Sequence, residues 1–303
     1  SEMATWRNPT ASEHLLLYTI HNDIQPIDGI CTGTEKSEGN APAGIVGNMW
    51  DSAPKEGAFP VYCVRDYGAE GAAPIVPDYS TAALGDIMLG SGRLVKPDAL
   101  TEGQKSKAVG VVAYLYKDQS RVGQSVKDKL GRDAKGLVLA LRNSVTRSVF
   151  AKGDIATTYP ASAAIQSFQT SIPASAATTG WYMPSIGEWV DLLGNDGGLG
   201  GADMSEVTSH FDKYNPIHMK GVGTIATTAI EGAMAKAGVD AYDELDNDQY
   251  YWSASELTPE QDEDYSSYAF IIAIRTSSTT GNIVIGPDAK NITDTGVRCV
   301  LAF

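Results

Sequence analysis

The chain has 303 residues, with 43% apolar and 20% charged side chains, which excludes a disordered or coiled-coil protein and suits about two ordinary domains or one large one. A formal net charge of -14 argues against the clustered positive surface that phosphate backbones require, so no nucleic-acid partner is expected. There is no apolar run long enough to span a bilayer, so no membrane insertion is expected, and 31 glycines favour turns and short strands.

Residues 1–84 read as a small β-rich unit. Leu15–Ile20 and Val61–Val64 have strand composition, and the Gly-, Pro- and Asn-rich chain between them has loop chemistry. Cys31 and Cys63 could bridge, which would stabilise by about 3–4 kcal/mol, or remain free buried thiols. The first residues show no signal-peptide apolar core, and the sequence leaves open whether a signal was removed before Ser1. Residues 68–80 read as a linker or irregular crossover.

From Gly85 onward the texture changes, and residues 85–303 read as the main domain. Strands are expected at Gly85–Leu89, Ala108–Tyr116 and Leu137–Arg142, with a turn at Gly90–Gly92. The charged stretch Lys117–Lys135 should be an exposed loop with a short helix at Gly123–Leu130. Tyr159–Phe168 reads as a helix with Pro160 in its first turn. Ser185 and Glu188 match a capping box, with Trp189, Leu192 and Leu193 on one face of the helix that follows and Gly194–Asn195 as its stop. Met204–Tyr214 and Thr224–Ala237 are further helix candidates, and Gly197–Gly201 reads as a flexible connection.

The last fifty residues organise the rest. Tyr250–Glu256 and Gly296–Phe303 read as strands, and a chain end that is an apolar strand belongs in a sheet. In Tyr268–Arg275, Tyr268, Phe270, Ile272 and Ile274 share one face while Ala269, Ile271 and Ala273 share the other. Both faces are apolar, so this strand should be central. Strands first, helices in the middle and strands last indicate an α+β fold with mainly antiparallel pairing.

Four stretches occur in order: Gly85-Asp86-Ile87, Trp181 to Trp189 (WYMPSIGEW), Tyr251 to Glu256 (YWSASE) and Val297 to Phe303 (VRCVLAF). Together they resemble the C-type-lectin-fold domains of Bacteroidetes surface and fimbrial-tip-like proteins and the variable proteins of diversity-generating retroelements, phage receptor-binding proteins among them. The resemblance covers residues 85–303. It implies a C-type lectin-like fold and a non-enzymatic receptor-binding protein on a bacterial surface or phage virion. A protein or glycan on a cell surface is the implied partner, and a homo-oligomer is compatible. It also implies a versatile binding face just before the C-terminus. On that face fall Ser255, Glu256, Tyr265, Ser266, Ser267, Tyr268, Arg275, Thr276, Ser277, Ser278, Asn282 and Asn291. Tyr, Ser, Thr and Asn supply contact area and adaptable hydrogen bonds at low entropic cost; ordinary solvated loops have the same composition.

Other chemistry is weighed against this. Formylglycine-generating enzymes share the broad fold but act through a cysteine pair, and this region holds only Cys299, which reads as a small buried hydrophobe. The E-P-N, Q-P-D and W-N-D motifs of calcium-dependent lectins are absent. The acidic residues Asp240, Asp243, Glu244, Asp246 and Asp248, and the run Gln261–Asp264, could gather calcium ligands; a solvated acidic loop is the default. His14, His21, His210 and His218 have no metal-ligand spacing. A structural pilus or tail subunit, its C-terminal face a subunit contact, is the alternative to a receptor binder.

Overall fold

The computed structural model describes residues 30–31, 40–45, 48–54, 77–150, 160–207, 217–245, 249–257, 267–276 and 281–303. The chain divides into two compact units, Ser1–Pro74 and Ile75–Phe303. In the first, β1 (Ile30–Cys31), β2 (Asn40–Ile45) and β3 (Asn48–Pro54) form an antiparallel sheet in that order. Asn40 stands opposite Pro54, and Ile45 opposite Asn48. All three strands therefore run through the stretch whose Gly, Pro and Asn content points to loop. Composition marks turns well, but backbone pairing of a short hairpin needs no apolar side chains. The expected strands Leu15–Ile20 and Val61–Val64, and Cys63, lie outside the described residues.

The second unit is built on one nine-stranded sheet. Its strands are β4 (Ile87–Leu89), β5 (Leu94–Val95), β6 (Ala108–Leu115), β7 (Gly136–Ser148), β8 (Ile217–Lys220), β9 (Gln249–Glu256), β10 (Tyr268–Arg275), β11 (Asn282–Ala289) and β12 (Thr295–Ala302). The spatial order is β5-β4-β6-β7-β12-β9-β10-β11-β8, antiparallel throughout except for a short parallel contact between β12 and β9. The terminal strand β12 is thus in the middle, and all eight of its residues are buried. Strand β10 is also internal, paired with β9 on one side and β11 on the other.

Side chains alternate across a strand, so the sheet feeds two cores. On one face Ile272, Ile274, Val300, Ala302 and Leu139 meet Trp189, Leu192, Ile230 and Met234. On the other, Ala269, Ile271, Val297, Cys299 and Leu301 meet Phe168, Trp181 and Trp252. Short helices cover both faces: α1 (Glu102–Lys105), α2 (Gln124–Leu130), α3 (Pro160–Ser171), α4 (Ile186–Leu193) and α5 (Gly223–Met234). Helices α4 and α5 contribute to the first core and α3 to the second. The architecture is a mixed α and β fold dominated by a mostly antiparallel sheet. No helix among the described residues is long and apolar enough to cross a membrane.

The capping box at α4 is formed: Glu188 N–H donates to Ser185 Oγ at 3.2 Å, and Ser185 N–H donates to the Glu188 carboxylate at 2.8 Å. Ser255 of β9 adds a third bond, its Oγ accepting from Ile186 N–H at 3.0 Å. The glycine run after α4 is a packed segment rather than a flexible connection. Leu115 N–H donates to Gly197 O, Leu199 N–H to Ala113 O and Gly200 N–H to Leu192 O. A Cβ on Gly198 would lie 2.0 Å from Asp191 O, so glycine is required there by close backbone approach. Met204–Val207, expected to open a helix, is irregular, and the rest of that candidate lies outside the described residues. Residues before Gly85 also join the main unit, where Tyr79 packs edge-on against Phe303 with ring centroids 4.8 Å apart.

One buried charge ties β12 to its neighbours. Arg298 is fully buried and donates to Ala140 O, Leu141 O, Asp243 O and Asn143 Oδ1 at 2.7–3.0 Å. Burial pushes its pKa down, and the nearby Tyr251 and Asp243 oppose that shift. Asp243 in turn accepts from Arg142 and from Asn143 N–H, each at 2.8 Å. Burial would raise Asp243, yet these bonds outweigh it and hold the carboxyl below its ordinary range.

Candidate functional site

The residues expected on one binding face are divided by the length of β10. Tyr268 pairs with Ala289 at one end of the strand and Arg275 with Asn282 at the other. Seven residue steps at about 3.3 Å put those ends roughly 23 Å apart. Glu256, opposite Ala269, and exposed Ser267 and Asn291 belong to the Tyr268 end. Thr276 and Asn282 belong to the Arg275 end. Tyr265, Ser266, Ser277 and Ser278 lie outside the described residues. Ser255 serves as a cap for α4.

The Arg275 end is tied down. The Arg275 guanidinium donates to Tyr250 Oη and stacks over that ring, 5.5 Å from its centroid. Arg275 Nε and Asn282 Oδ1 are buried without a hydrogen-bond partner. Thr276 is half-buried.

The Tyr268 end borders a groove of about 420 Å³. Its origin lies in the divergence of β12 from β9, which pair over only two positions, Thr295 with Tyr250 and Gly296 with Tyr251. Beyond them the segment Tyr182-Met183-Pro184 enters between the two strands. Tyr182 exchanges backbone hydrogen bonds with Val300 at 2.8 and 2.9 Å, and Pro184 O accepts from Ala254 N–H at 2.8 Å. Tyr182 and Met183 thereby become one wall of the groove, with Ala254 and Glu256 at the end of β9 beside them. Helix α2 adds Ser125, Val126 and Lys129, the first two lying four and three residues before Lys129 and so each beside it on the helix surface. Helix α3 adds Ser162 and Ile165, and Phe150 completes the lining.

The lining is apolar on Val126, Phe150, Ile165, Met183 and Ala254, with charges at the lips. Lys129 is exposed, and its ammonium lies 5.7 Å from the centroid of the Tyr182 ring. The ring is held in place because Tyr182 Oη donates to Glu188 at 2.7 Å. Burial and the adjacent Glu188 carboxylate raise the Tyr182 pKa far out of the accessible range, so the phenol is a fixed neutral donor. At the other lip Glu256 accepts from Lys290, whose largely buried ammonium sits over the Phe150 ring at 5.7 Å. Phe150 itself packs edge-on against Trp252, with centroids 5.4 Å apart.

Among the described residues of the predicted face, Glu256 alone lines this groove. Sequence reading missed Lys129, Phe150, Tyr182, Met183 and Lys290 as site residues. The available signals were the WYMPS segment, noted for its cap rather than its wall, and the one-sided spacing of Ser125 and Lys129. The thiol of Cys299 is buried, and burial pushes it up to about 12. Among the described residues no group of three or more His, Cys, Asp or Glu side chains is placed to hold a metal ion. Asp243 is engaged by Arg142 and Asn143, while Asp246, Asp248, Gln261–Asp264, His14, His21 and His210 lie outside the described residues.

No family model matches the chain, and no curated protein matches it. Among solved structures the chain is similar to a fimbrial protein from Bacteroides ovatus ATCC 8483, with 16% sequence identity and a TM-score of 0.46. The alignment covers 73% of this chain and 49% of that one, so the chain spans about half of its length. A likeness of this size transfers neither function nor a detailed fold.

Proposed function

We propose that the chain is a non-enzymatic recognition protein of the C-type-lectin type, acting at a bacterial or virion surface, whose C-terminal unit binds a protein or glycan partner at the groove beside Tyr182 and Glu256. The observation that carries this reading is the groove itself. Its volume falls within the range typical of ligand sites, and its apolar floor carries a few charged groups at fixed positions. The walls hang on backbone bonds from Tyr182 to β12 and from Ala254 to Pro184, so the site is held by the buried sheet.

The test compares two substitutions in binding to immobilised peptide and glycan arrays. Ala254→Trp fills the groove from an exposed position, whereas Arg275→Ala alters the far end of β10. Binding lost in Ala254→Trp and kept in Arg275→Ala is the expected outcome. The reverse pattern would move the site to the Arg275 end, and loss in neither would remove both.

A further inference from the structure

We infer that the groove takes an extended peptide segment in which an acidic side chain is flanked by apolar ones, the carboxylate seated on Lys129. The inference rests on the reading of the groove as a recognition site and specifies its partner.

Charge decides the first half. Two lysines and one glutamate stand at the lips, and they are not equivalent. The Lys290 ammonium is nearly buried and bonded to Glu256, so it is engaged within the protein. Lys129 is exposed and enters no ion pair with a described residue; its contact is with the face of Tyr182. A chain of net charge -14 thus keeps an uncompensated cation at the edge of an apolar groove. An incoming carboxylate is its complement, and a charge-assisted bond beside an apolar wall is stronger than one in open water.

The lining decides the second half. Recognition of a glycan needs a dense set of hydrogen-bonding groups, usually with an exposed aromatic face. Here the polar lining is Ser125, Ser162, Lys129, Tyr182 and Glu256. The Tyr182 hydroxyl is committed to Glu188, Glu256 is paired with Lys290, and the Phe150 ring already faces the Lys290 ammonium. What remains is an apolar trough formed by Val126, Ile165, Met183 and Ala254, suited to aliphatic or aromatic side chains.

The experiment is selection of a random peptide library on the immobilised full chain, repeated on Lys129→Glu and on Ala254→Trp. The inference expects enriched peptides with Asp or Glu between apolar residues. Their affinity should fall by about tenfold or more in Lys129→Glu, and the variant should select Lys- or Arg-bearing peptides instead. Ala254→Trp should abolish binding of both sets. Peptides without acidic bias, or acidic peptides indifferent to Lys129→Glu, overturn the inference while leaving the groove as a site if Ala254→Trp still abolishes binding. The same holds if no peptide is enriched and a glycan binds in an Ala254→Trp-sensitive manner. Selected peptides that bind equally to Ala254→Trp overturn both the inference and the reading on which it rests.

Discussion

Replacing Arg298 by Met tests the packing logic of the main unit. Methionine keeps much of the stem and removes the guanidinium, so the loss is that of the bonds together with a small cavity where the guanidinium's end sat. The side chain serves four oxygen acceptors. Leu141 O also accepts from Asp243 N–H at 2.9 Å and stays satisfied. Ala140 O, Asp243 O and Asn143 Oδ1 lose this donor, each at a cost of about 1–3 kcal/mol. Relaxation recovers part of that, and removing a buried cation regains its desolvation energy, leaving a net loss of about 3–5 kcal/mol. Set against a typical total of about 5–15 kcal/mol, this is a large fraction. Urea unfolding followed by the fluorescence of buried Trp181, Trp189 and Trp252 reads it as a lower midpoint at unchanged slope. A change under about 1 kcal/mol would refute the reasoning, because the desolvation energy regained would then equal the bonds lost.

Three further outcomes follow from particular contacts. Ser185→Ala removes the cap hydroxyl of α4 and should cost about 1 kcal/mol, a drop of about 2–4 °C in thermal unfolding; no drop would mean that Ser255 alone suffices. Gly198→Ala places a methyl 2.0 Å from Asp191 O and 2.5 Å from Gly194 O, and should destabilise by about 2 kcal/mol or more in the same melt. Asp191 is raised by burial, against the pull of Arg121, from its ordinary 3.8 to about 6. Between those values the folded chain holds a proton that the unfolded chain has released. The stability this contributes is therefore full below 3.8 and lost as pH rises through about 6. Asp191→Asn should flatten that decline in unfolding curves taken across this window, and parallel curves for the two proteins would contradict it.

Much of the scaffold was legible because its signals are local. Two apolar faces on Tyr268–Arg275 require two cores, and both are present. The spacing of Ser185 and Glu188 specifies a cap that depends on four residues only. What escaped depends on contacts distant in sequence. Strand β7 extends to Ser148 through Arg142–Ser148, polar except for Val145, held by its ladder to β12 rather than by composition. The glycine run reads as slack in one dimension and is a close backbone approach in three. The groove combines Lys129, Phe150, Tyr182 and Glu256, brought together because β12 and β9 separate, and no spacing records that. The residues of the expected face lie toward both ends of an eight-residue strand, roughly 23 Å apart, a separation that residue spacing alone does not display.

The account depends on β12 as the immobile centre from which the groove wall hangs, and amide hydrogen exchange tests this most directly. Amides of Thr295–Ala302 and of Ile271–Ile274 should exchange only through global unfolding, with Tyr182, bonded to Val300, protected nearly as well. Exchange of β12 as fast as the exposed turn at Asn291–Asp294 would contradict it.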